Sequence, residues 1–270
     1  MRLQNKVIIV TGSTTGIGKA IALKCIEEGA SVVVHGLEKD LGDATMQLIP
    51  NDKSVLHIED ISANGASERL VSLALSTFGR LDGIVNNAAL VHSSNVETTD
   101  LNVFERVLRI NLLAPFLLIK AALPELAKTK GSVLNIGSVN AYSGEPNLLA
   151  YSVSKGALMT MTRNLGDSLY RDYGVRVNQI NPGWVLTERE IQRKRDHGLE
   201  DDWYSDLPRI YAPSGRILRP DEIAAAAMYW LAAESGPVSG QVVDLEQYPF
   251  IGRNPPKDTS TIPTKSNKIP

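Results

Sequence analysis

Tyr151 and Lys155 stand four residues apart, a spacing that places both side chains on one face of a helix. Free tyrosine has a pKa near 10, too high for a base at neutral pH. A neighbouring ammonium favours the phenolate, which makes the pair a candidate for moving a proton. Ser138, upstream of both, offers a hydroxyl that can bond a reacting oxygen and steady its charge. The pair alone carries little. With 8 tyrosines in the chain, a lysine four places on arises by chance about 0.4 times.

A second candidate lies near the start of the chain. The apolar run Val7 to Val10 leads into Gly12-Ser13-Thr14-Thr15-Gly16-Ile17-Gly18, and a helical pattern follows. Glycine lets the backbone turn sharply and lets a ligand come close. The helix start then presents unpaired N–H groups and a positive dipole end to a phosphate. The spacing is a variant of the dinucleotide fingerprint.

These residues need elements to hold them. Strand candidates are 7–10, 31–35, 55–58, 83–86, 132–136, 176–180 and 241–245, several almost continuously apolar. Helical patterns cover 17–28, 39–48, 64–78, 99–126, 152–172 and 220–233. This alternation predicts an α/β fold, a doubly wound Rossmann-type parallel sheet of about seven strands with helices on both faces. Residues 1–254 are expected to form one domain, and the Pro-rich 255–270 a flexible tail. Residues 184–216 replace a short loop after the sixth strand. They read either as a lid or as a solvated helical hairpin.

Composition narrows the classes. The net charge is −2 with no long basic run, so nucleic acid is not an expected partner. No apolar run is expected to span a membrane. The N-terminal residues lead straight into the first strand, so the expected location is cytoplasmic. Cys25 is expected to be a buried packing residue. His35, His57, His92 and His197 lack paired ligand spacing, and no metal site is expected.

Taken together, the glycine turn, Asn86-Asn87-Ala88-Ala89, Asn111, Ser138, Tyr151, Lys155 and Asn181-Pro182-Gly183 resemble, in this order, the short-chain dehydrogenase/reductase family. The resemblance covers about residues 5–246 and implies an NAD(P)-dependent oxidoreductase that interconverts a secondary alcohol and a ketone. It implies Tyr151 as general acid/base, aided by Lys155 and by the positive charge of an oxidised nicotinamide. Ser138 would hold the substrate oxygen, and Asn111 a water that links Lys155 to solvent. It places Gly12, Ser13, Thr14, Thr15, Gly16, Ile17, Gly18, Leu37, Asp60, Ile61, Asn87, Ala88, Tyr151, Lys155, Pro182, Gly183, Val185 and Thr187 around the cofactor. Asp60 would meet the adenine amine, with helix capping as its alternative. Ala89 departs from the family's usual glycine.

The choice of dinucleotide turns on the end of the second strand. Gly36 stands where an acid would bind the ribose hydroxyl of NAD, and Leu37 where an arginine would bind the phosphate of NADP. Glu38 could repel a phosphate; Lys39 and His35 could attract one. Without an arginine fork the balance favours NAD, with NADP open. Substrate candidates are Ser138, Tyr151, His92, Asn140, Glu145, Trp184 and Arg189. Their polarity suggests a sugar, polyol or hydroxy acid. Alternatives are an NADPH-dependent carbonyl or 3-oxoacyl reductase and, in another class, a non-catalytic dinucleotide sensor. The family also implies a homotetramer or homodimer built through the helices at 99–126 and 152–172. Residues 246–253 are expected to be ordered, against a neighbouring subunit or their own.

Overall fold

The computed structural model describes residues 1–196, 198–205, 207–210 and 212–249. Seven strands form one sheet: β1 (Val7–Val10), β2 (Ser31–Gly36), β3 (Ser54–Ile58), β4 (Gly83–Asn86), β5 (Ser132–Ile136), β6 (Arg176–Pro182) and β7 (Val242–Leu245). Their order is β3-β2-β1-β4-β5-β6-β7, and every pairing is parallel. β1, β4, β5 and β6 are buried along their whole length, which explains their continuous apolar or small-residue reading.

Helices cover both faces. On one, Ile21 and Cys25 of α1 (Gly16–Glu27) and Ile223 and Met228 of α9 (Pro220–Leu231) pack on Val10, Val34, Leu134 and Ile180. On the other, Leu70 of α3 (Ala66–Phe78), Leu118 of α5 (Ala114–Thr129) and Leu169 of α7 (Leu149–Tyr173) pack on Ile9, Val33, Ile84 and Val133. Each such fully buried Leu or Ile stabilises the fold by about 1.5–3 kcal/mol. The strand order reverses between β1 and β4, and α2 (Lys39–Met46) flanks the β2 end. A doubly wound sheet opens its ligand crevice at that switch point.

The helix expected over 99–126 is more complex. Asp100 caps α4 (Leu101–Leu108) by accepting the Val103 N–H at 2.9 Å. A π-helical turn, Arg109–Leu113, then leads into α5. The stretch Leu101–Thr129 is long and apolar enough by composition to cross a membrane. This corrects the expectation that no run approaches a span. In this fold Ala114, Leu118, Ile119, Ala122 and Leu126 of the stretch pack against α3 and the sheet, and Leu101, Leu113, Phe116 and Leu117 stay exposed. A short helix, α6 (Asn140–Ser143), was not expected. Among the described residues of 184–216, the helix is α8 (Glu188–Asp196). Both feet of this insertion are tied together, as Leu186 donates to the Leu218 carbonyl and Leu218 to that of Trp184. His197, Phe250, Ile251 and the expected tail lie outside the described residues.

Candidate active site

The glycine turn is built for close approach. Gly12 and Gly16 have φ of +62° and +54°, a region that favours glycine. A Cβ on Gly18 would come within 2.3 Å of the Gly12 carbonyl oxygen. Asn87 clamps the turn from β4, its Nδ2 donating to the carbonyls of Thr11 and Gly12 at 3.0 and 2.9 Å. The start of α1 has no side-chain cap from Thr15 and no acid of its own in the first turn. Its first N–H groups therefore take an anion from outside the helix, and in the free protein Gly16 N–H bonds Glu188 at 3.1 Å.

A cleft opens above this turn. Its walls include Gly12, Thr14, Thr15, Gly16, Ile17, Leu37, Asp60, Ile61, Asn87, Ala88 and Thr187, as the sequence suggests. The shape and the anion-binding helix start fit a dinucleotide. Other predicted cofactor residues sit elsewhere. Ser13 is fully buried; its hydroxyl donates to Val10 and accepts from the His35 N–H, tying β1 to β2. This corrects its assignment to the cofactor surface. Gly18 acts beneath the turn, through the close packing just described. Pro182, Gly183 and Val185 stand outside the walls of this cleft, at the end of β6, where Val139 N–H bonds the Pro182 carbonyl beside Ser138.

At the β2 end, Gly36 has a physical reason. A Cβ there would lie 2.4 Å from Thr14 Cγ2, so the acid's usual place is filled by the turn itself. His35 is buried and accepts the Gly12 N–H on Nδ1. Burial, with the neighbouring His57, lowers its pKa to about 4. Lys39 pairs with Asp43 on its own helix. Neither cation is therefore aimed at a phosphate. Asp60 binds the Ser62 N–H and hydroxyl at 2.9 and 2.7 Å, and Arg106 rests on its other oxygen at 3.4 Å. Partial burial opposes its ionisation, but these bonds hold its carboxyl below the usual range.

The candidate catalytic groups meet where β5 and α7 converge. Tyr151 and Lys155 occupy successive turns of α7, and the Lys155 ammonium lies 5.6 Å from the Tyr151 ring centroid. Ser138 lies near enough to the phenol to favour its ionised form. Burial holds the phenol above its usual pKa, while Ser138 and the charge of Arg193 work against it. The expected help from Lys155 is not among these effects in the free protein. Its Nζ donates to the Ile136 carbonyl at 2.7 Å, and burial lowers its own pKa to about 8. Asn111 is buried in the π-helical turn. It brackets Leu90 through both backbone groups and donates to Ser154 of α7 at 3.0 Å. A π-turn of this kind is frequent at functional sites.

The predicted substrate residues divide. Asn140 N–H donates to the Ser138 hydroxyl at 3.2 Å. Trp184 stacks on Trp203 at 5.2 Å, and its Nε1 donates to Glu190 at 2.9 Å. Lys194 covers both rings. Glu145 and His92 are exposed. Arg189 is the correction: it lines the cofactor cleft and pairs with Glu38 at 3.4 Å, because it falls on the first turn of α8. The sequence reading missed Arg193 as a site residue. Glu190 holds its guanidinium by two 2.9 Å bonds, and its charge is felt by both Tyr151 and Glu145. The i, i+3 spacing from Glu190 was the available signal. Arg106, Glu188 and Leu90 were also missed as cleft residues.

Residues after β7 pack on their own subunit as far as they are described. Glu246 accepts the Trp184 N–H, and the Gln247 side chain bonds Ser214 and the Arg216 carbonyl.

The geometry has counterparts among known proteins. A family model described as enoyl-(acyl carrier protein) reductase matches residues 12–246. Glucose 1-dehydrogenase 2 of Bacillus subtilis is 36% identical, over 90% of this chain and 94% of its own. The NADP-dependent (R)-specific alcohol dehydrogenase of Lentilactobacillus kefiri is 34% identical, over 87% and 92%. A crystal structure of a short-chain dehydrogenase/reductase of unknown function from Caenorhabditis elegans, with cofactor, matches with a TM-score of 0.81 and 26% identity, over 90% of this chain and 95% of that one. A parallel sheet in this order, a clamped glycine turn and similarity along nearly the whole chain lead to one assignment: the chain belongs to the short-chain dehydrogenase/reductase family of NAD(P)-dependent oxidoreductases.

Proposed function

We propose that this enzyme interconverts a secondary alcohol of a small polyhydroxylated compound, a sugar or polyol, with its ketone. The observation that carries the reading is the position of Lys155 at 5.6 Å from the Tyr151 ring centroid, with Ser138 favouring the ionised phenol. Tyr151 gives or takes the proton at its phenol oxygen. Ser138 holds the substrate oxygen against that phenol and steadies its developing charge. Lys155 and the residues of the glycine turn hold the dinucleotide. When bound, that cofactor supplies the acceptor or donor of hydride.

Charge around Tyr151 favours a neutral substrate. Arg193 is committed to Glu190, Lys194 lies on two indole rings, and Glu145 stands nearby. Among the described residues, the cations named here are already engaged, Arg193 with Glu190 and Lys194 with the indole rings. Hydroxyl groups can instead bond Arg–carboxylate pairs, and sugar faces can stack on indole. The glucose 1-dehydrogenase relative supports this class. NAD is the proposed cofactor, because Glu38 stands at the ribose end without an arginine at 37.

A panel of aldoses, polyols, hydroxy acids and simple secondary alcohols, run with NAD and NADP, tests the reading. Formation of reduced cofactor is followed by its absorbance. Turnover of neutral polyols ahead of hydroxy acids is expected. A preference for hydroxy acids would overturn the substrate class, and no turnover of any alcohol, in either direction, would favour a dinucleotide sensor.

A further inference from the structure

The first turn of α8 lies across the cofactor cleft. Glu188 Oε2 accepts the Gly16 N–H at 3.1 Å. One residue on, Arg189 reaches Glu38 at 3.4 Å. A Cβ on Gly16 would sit 3.3 Å from Thr187 Cγ2, so this segment is packed on the turn. The start of α1 has no acid of its own and no side-chain cap. Its positive end is thus met from another element, by a carboxylate. Those oxygens present to the N–H the same chemistry as phosphate oxygens: negative charge and acceptor lone pairs.

We propose that Glu188 is an internal competitor for the pyrophosphate site, so that dinucleotide binding displaces it and frees the first turn of α8. The inference rests on the reading of the glycine turn as the site of the cofactor's pyrophosphate. Two anions cannot share the Gly16 N–H, and like charges at contact distance repel. The displaced element also carries Glu190 and the Arg193 it holds, whose charge reaches Tyr151. Occupancy of the glycine turn therefore bears on how the substrate side is arranged.

Binding of ADP-ribose and of adenosine, measured by calorimetry, tests the proposal without turnover. ADP-ribose carries the pyrophosphate; adenosine does not. Glu188 is exposed, so Glu188→Gln and Glu188→Ala leave the core intact. Both variants are expected to bind ADP-ribose about three- to tenfold more tightly than the unaltered protein, the range of a helix-end charge or a charge-assisted bond. Adenosine affinity should stay within about twofold. ADP-ribose affinity that is unchanged or weaker in both variants overturns the proposal. So does equal tightening of adenosine, which would indicate general opening of the cleft. Failure of ADP-ribose to bind even the unaltered protein would instead remove the pyrophosphate reading on which the proposal stands.

Discussion

Glu246 holds Trp184 from behind: its Oε2 accepts the Trp184 N–H at 3.1 Å and lies 1.8 Å from where a Cβ on Gly183 would project. Gly183 must therefore stay glycine for as long as Glu246 is there. With Gln247 on Ser214 and Arg216, the two residues fix both feet of the insertion that carries α8. Glu246→Ala is expected to raise KM for the alcohol about tenfold, in line with loss of one charge-assisted bond. Adenosine affinity should stay unchanged. Steady-state kinetics and adenosine titration check this, and an unaltered KM would show that the feet hold without Glu246.

Acid stability carries the mark of His35. Its folded pKa is about 4, against 6.5 as the ordinary value. Between these limits the unfolded chain binds the extra proton and the folded one does not. The neutral ring's contribution is therefore complete above pH 6.5 and lost as pH falls toward 4. The full effect is about 3 kcal/mol. Urea denaturation from pH 4 to 7 should show a shallower slope for His35→Asn than for the unaltered protein. Equal slopes would contradict the assignment.

Cofactor choice can be moved at the β2 end. Leu37 is 54% exposed in the cleft, with room for a longer side chain. Leu37→Arg should raise kcat/KM with NADP, since a guanidinium fork can hold the ribose phosphate. In the unaltered protein NAD should give the higher kcat/KM. A tenfold advantage for NADP would refute this, and Arg189, beside Glu38, would become the phosphate's partner.

The sheet and the elements that carry the candidate residues were legible because local and long-range signals agree there. The β-branched runs gave β1, β4 and β5 to the residue, and glycine and Tyr-x3-Lys spacings marked the turn and α7. What was not legible depends on contacts distant in sequence. Ser13 looked like part of the turn, but its hydroxyl serves the β1–β2 joint. Arg189 looked like a substrate residue until the path of the insertion laid α8 over Glu38. The π-turn at Asn111 has no signature in apolar periodicity, because one widened turn barely shifts the pattern.

Self-association is expected through α5 and the start of α7. Leu113, Phe116, Leu117 and Val153 are each more than 40% exposed, whereas Leu118 and Leu158, also apolar, are spent in the core. The four lie on the helix faces turned from the sheet and are proposed to form the dimer contact of a dimer or tetramer. Phe116→Glu combined with Leu117→Glu should lower the assembly state in sedimentation while leaving the helical signal intact. An unchanged sedimentation profile would place the contact elsewhere.

The central claim is that Tyr151 moves the alcohol proton. Tyr151→Phe removes the hydroxyl and keeps the ring above Lys155. The most direct measurement is kcat of this variant beside its ADP-ribose affinity, on the best substrate of the panel. The account predicts a fall in kcat of about 100-fold or more, with affinity retained. A kcat within twofold of the unaltered enzyme would contradict it.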